Sequence, residues 1–78
     1  MKIHLWHGSN EQTELLLTPE QDTSKAPAPQ TGGSWTHHSE ATMNRHSTDP
    51  LPGGVSWEEL NAAFTFSGFW QGAGELPT

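Results

Sequence analysis

The large apolar side chains fall into two groups, one at each end of the chain, with a long polar stretch between them. In the first group Ile3, Leu5 and Trp6 sit among His4 and His7 ahead of a turn at Gly8, and the run Leu15, Leu16 and Leu17 follows before Pro19. Ser9, with Gln12 three residues later, has the form of a helix-initiating capping box, and Glu11 and Glu14 suit the positive end of such a helix. The pattern predicts a weak, nascent helix near 10–17, because a segment this short does not hold a helix alone in water.

The second group has the clearest local signal. Ser56-Trp57-Glu58-Glu59 is a capping box with Ser56 as N-cap, and Val55 and Leu60 stand where a hydrophobic staple places them. Ala62 and Ala63 favour propagation and Gly68 supplies a stop, so a helix is predicted near 57–67. On that helix Trp57, Leu60 and Phe64 lie on one stripe, whereas Phe66 projects from the opposite face.

Between the groups, from Glu20 to Pro52, Thr, Ser, Gln, Pro, Gly and His dominate, and Trp35, Met43 and Leu51 are the only large apolar residues. Ala26-Pro27-Ala28-Pro29 favours extended backbone and Gly32-Gly33 breaks what precedes it. The organisation expected is therefore three segments: a short N-terminal piece over 1–19, a disordered linker over 20–52, and an aromatic-rich piece with a capped helix over 53–78.

Composition strengthens the expectation of disorder. Leu, Ile, Val and Phe make up about 15% of the 78 residues, below the level at which a packed core is expected. There is no cysteine, so neither a disulfide nor a thiolate metal site can brace so small a chain. The fold class expected is a largely disordered small acidic protein carrying the two helical segments.

Charge narrows the partners. The formal net charge is -6, and the three cations, Lys2, Lys25 and Arg45, are scattered along the sequence, which argues against nucleic acid and anionic membranes. No apolar run approaches a membrane span or a secretory signal, so stable membrane insertion and Sec export are not expected. A soluble intracellular protein, in cytoplasm or nucleus, is the expectation.

Candidate chemistry is sparse. His46, Ser47 and Asp49 are neighbours in sequence without a scaffold to preorganise them, and no phosphate-binding or dinucleotide motif is present. No catalysis and no cofactor are expected. Trp57, Leu60 and Phe64 have the spacing to fill adjacent pockets of a partner groove, with Glu58 and Glu59 matching a basic rim. A noncatalytic regulatory or accessory protein binding a protein partner is the leading expectation. Self-association through the same aromatics, or a young reading frame without a selected role, are the alternatives.

Two short motifs carry resemblances. Trp57-Glu58-Glu59-Leu60 resembles the aromatic-x-x-aliphatic motif by which autophagy receptors bind ubiquitin-like autophagy modifiers. Glu11, with the pair Leu15 and Leu16 four residues on, resembles the acidic dileucine sorting signal recognised by clathrin adaptors. Histidine offers the remaining chemistry: His4 and His7 form one group, and His37, His38 and His46, with Glu40, form a second, both supplying ligands suited to zinc, copper or nickel. A histidine-based metal-binding peptide is accordingly a further alternative.

Overall fold

Leu15, Leu16 and Leu17 are all fully buried, which a solvent-facing helix cannot achieve with three consecutive residues but a central strand covered on both faces can. The computed structural model describes residues 2–42 and 55–74, and in it these leucines lie in a strand. The elements are β1 (Lys2–Gly8), β2 (Glu14–Thr18), β3 (Trp35–Thr42), α1 (Trp57–Phe66) and β4 (Trp70–Ala73). The four strands form one sheet in the order β3-β1-β2-β4, every neighbouring pair antiparallel.

This overturns the expectation of a largely, intrinsically disordered chain. The Cα radius of gyration is 11.4 Å; an unfolded chain of this length would have roughly 27 Å. Composition says how many apolar residues there are, whereas the fold depends on where they stand. Every described Leu, Ile and Val is buried, so the small aliphatic content is concentrated in the core.

The segment 10–17 is corrected as well. Ser9 does not cap a helix: its hydroxyl accepts from the Ser34 amide at 3.0 Å, and its own amide donates to the Ser34 carbonyl at 2.9 Å. Glu11 instead organises a turn, accepting from the Thr13 hydroxyl at 3.0 Å while its carbonyl accepts from the Glu14 amide at 3.2 Å. The chain then enters β2, paired with β1 from His4 opposite Thr18 to His7 opposite Leu15. The stretch read as a linker supplies β3, which pairs with β1 from Lys2 opposite Thr42 to Gly8 opposite Trp35. Its inward positions are Trp35, His37, Ser39 and Ala41, too polar to register as a strand by hydrophobicity alone.

The two faces of the sheet are covered differently. On one, Ile3, Leu5 and Leu17 pack with Val55 and Leu60, and Ala41, Trp57, Phe64 and Trp70 close the cluster. The helix lies over this face on the way from β3 to β4. Its N-cap is Ser56, whose hydroxyl accepts from the Glu59 amide at 3.2 Å, and it ends at Gly68, where φ is 85° and the amide donates to the Phe64 carbonyl at 3.1 Å.

The opposite face carries His4, Trp6, Leu16 and Thr18, all buried. The connection from β2 to β3 returns over it. Trp6 donates its indole N–H to the Thr18 hydroxyl at 2.9 Å, and that hydroxyl donates to the Glu20 carbonyl. Farther along, Pro29 is buried, Trp35 donates to the Pro27 carbonyl at 2.9 Å, and Glu14 holds the Gln30 and Thr31 amides. No described helix is long and apolar enough to cross a membrane.

Candidate functional site

Two places in the described structure hold chemistry that the fold itself does not consume. The first is the outer face of α1. At 3.6 residues per turn, Glu58, Glu59, Ala62 and Phe66 fall within an arc of about 100°. Leu60, Trp57 and Phe64 occupy the opposite arc and meet the sheet. Phe66 is 94% exposed, the one large apolar side chain left open among the described residues. Glu58 and Glu59 are exposed beside it, and the last turn carries no basic residue. The face is thus a single aromatic ring in an acidic setting.

The second is a histidine cluster on the loop-covered face, where β1 meets β3. The ladder shifts between Leu5 and Trp6: Leu5 faces Ser39, but Trp6 faces His37, so His38 is an extra residue in β3. This bulge brings His37 toward His4 as well as Trp6. His4 Nδ1 lies 3.2 Å from His37 Nε2, and the Trp6 and His37 rings meet edge to face at 4.8 Å between centroids. His4 is 6% exposed, and its Nε2 is 4.0 Å from Glu40 Oε2. The other Glu40 oxygen is 3.6 Å from Lys2 Nζ.

The sequence places His4 with His7, and His37 with His38 and His46. The structure regroups them. His7 turns its Nδ1 to the Gly8 carbonyl at 2.9 Å, and its ring sits 6.3 Å from that of the exposed His38. His46, with Ser47 and Asp49, lies outside the described residues. Among the described residues no group of three histidine, cysteine or carboxylate side chains gathers to hold a metal ion.

The residues of the two short motifs have structural positions of their own. Trp57 and Phe64 are half-buried and Leu60 fully buried against the sheet, while Glu58 and Glu59 remain exposed. Glu11 is exposed in the β1–β2 turn, and Leu15 and Leu16 are fully buried in β2, where a receptor would reach them only after the sheet opens.

A cleft of about 460 Å³ opens between the β1–β2 turn, the returning loop and β4, with Glu14 in its wall. That carboxylate is already engaged by the Gln30 amide, the Thr31 amide and hydroxyl, and the Gln71 side-chain amide. These bonds, led by that from the Thr31 hydroxyl, hold the Glu14 carboxyl below its ordinary value, with partial burial acting against them. The group is a clamp for the loop. Nothing in the sequence marks it, since its partners lie 16, 17 and 57 residues away.

Comparison with protein-family models, curated proteins and solved structures finds no match to this chain.

Proposed function

We propose that this chain is a noncatalytic interaction domain that docks the outer face of α1 on a protein partner, with Phe66 as the anchor. The observation that carries the reading is the 94% exposure of Phe66 in a domain that buries every described Leu, Ile and Val. An aromatic ring set among energetically minor neighbours is the usual form of a binding hot spot. Glu58 and Glu59 on the same arc, and the net charge of -6, favour a partner surface with an apolar pocket and a basic rim. The stripe of Trp57, Leu60 and Phe64 serves the domain's own core, and the partner contact moves to the reverse side of the same helix.

The test places a photo-activatable phenylalanine analogue at Ala62 and compares it with the same chain carrying Phe66→Ser. The expected result is a discrete crosslinked adduct to another protein that disappears with Phe66→Ser and weakens with Glu58→Lys, while the amide spectrum of each variant stays native. An adduct unaffected by both substitutions would overturn the reading. So would an adduct to a second copy of the chain, with sedimentation that depends on concentration, because the surface would then serve self-association.

A further inference from the structure

His4 and His37 come from strands 33 residues apart in sequence, and their facing nitrogens are separated by 3.2 Å. Two imidazole nitrogens sharing one tetrahedral ion at 2.0–2.1 Å each would stand about 3.3 Å apart. The separation that admits a hydrogen bond is therefore also the separation that admits a metal. We infer that His4 Nδ1 and His37 Nε2 form a two-histidine site for a borderline divalent transition-metal ion, with zinc as the probe and the Glu40 carboxylate behind His4.

Three further features fit this use. His4 is 6% exposed in a central strand, so its ring orientation is set before any ion arrives. Its remote nitrogen, Nε2, faces Glu40 Oε2 at 4.0 Å, beyond a hydrogen bond but close enough that a small approach of this exposed carboxylate would complete the carboxylate–histidine–metal order that raises ligand basicity. Lys2 approaches the other carboxylate oxygen, leaving Oε2 to His4. His37 is half-exposed and braced by the edge of Trp6, which gives the ion an approach from solvent to a ring that is already positioned.

With no third protein ligand gathered among the described residues, the remaining coordination positions belong to water. The site would bind more weakly than a closed structural zinc centre. Binding also demands a change of tautomer. In the metal-free pair one facing nitrogen carries the hydrogen that the other accepts; ligation needs a lone pair on both. The ring that donated must carry its hydrogen on the outer nitrogen instead. Two neutral rings each keep one hydrogen, and no proton is released overall.

The experiment is a zinc titration of the full chain labelled with nitrogen-15, read by long-range proton–nitrogen spectra of the imidazole rings. The expected result is one saturable event in which His4 Nδ1 and His37 Nε2 take up metal-bound shifts together and the hydrogen on the facing nitrogen is lost. His37→Gln, which can keep a hydrogen bond to His4, should abolish that event. Glu40→Gln should weaken it by about tenfold or more. Zinc shifts confined to His7, His38 or His46, unchanged affinity in His37→Gln, or no saturation in the millimolar range would each overturn the site and leave an ordinary hydrogen-bonded pair.

Discussion

The Thr31 hydroxyl donates to Glu14 Oε1 at 2.6 Å, tying the loop that covers one face of the sheet to the first residue of β2. The Gln30 and Thr31 amides reinforce the same carboxylate at 2.5 and 3.2 Å. The loop therefore depends on a charge at Glu14.

A pH prediction follows from the direction of its shift. The Glu14 carboxyl is held below its ordinary value in the folded chain. The folded state then binds fewer protons than the unfolded one at mildly acid pH. The stabilisation is fully present above the ordinary glutamate range and disappears as pH falls through the depressed folded value. The Gln30 and Thr31 amide shifts should titrate together with an inflection below that of a free glutamate. In Glu14→Gln that inflection should vanish, and the stability gap between the two proteins should narrow as pH is lowered.

Trp6 and Thr18 are coupled through a buried hydrogen bond. The indole N–H is buried and donates to the Thr18 hydroxyl, which passes its own hydrogen to the Glu20 carbonyl. Thr18→Val keeps the shape but strands a buried donor, at a cost of about 1–3 kcal/mol. Trp6→Phe removes the donor, so its loss should come from packing alone and Thr18 should keep its bond to Glu20. Urea unfolding of the two variants and of the double variant would show coupling between the sites.

The contrast between helix and sheet explains what the sequence could reveal. The α1 signals are local: the Ser56 hydroxyl accepts from the Glu59 amide and Gly68 closes the last turn, so both caps form within one turn of their signals. The strands carry no such signal. Period-two alternation fails in β1 and β2 because both faces are covered, and Leu15, Leu16 and Leu17 read equally well as a helix end. In β3 the inward positions include His37 and Ser39, whose burial depends on what lies opposite. The pairing of His4 with His37 depends on a one-residue bulge at His38, so sequence neighbours were a poor guide to spatial ones.

The two sides of α1 should respond oppositely to truncation. Leu60 is fully buried, and Leu60→Ala should cost about 2–5 kcal/mol, a large share of the stability of so small a domain. Phe66→Ala removes an exposed ring and should stay within about 0.5 kcal/mol. Thermal unfolding of both checks this. Equal losses would mean that Phe66 has a packing role.

Gly72 in β4 is expected to resist substitution. A Cβ built there would stand 2.4 Å from Trp70 Cη2, because the indole lies across the glycine. Gly72→Ala must displace that ring from the cluster it closes around Leu17. In the nitrogen-15-labelled chain the Trp70 indole N–H signal should move toward that of a solvent-exposed indole.

The described residues form a four-stranded antiparallel sheet in the order β3-β1-β2-β4. Cross-strand nuclear Overhauser effects in the labelled, metal-free chain at neutral pH test it most directly. Wide amide dispersion is expected, with backbone contacts linking Leu5 to Leu17, Leu17 to Trp70 and Ile3 to Ala41. Narrow dispersion, or helical sequential contacts through Glu11 to Leu16 in place of the cross-strand set, would contradict it.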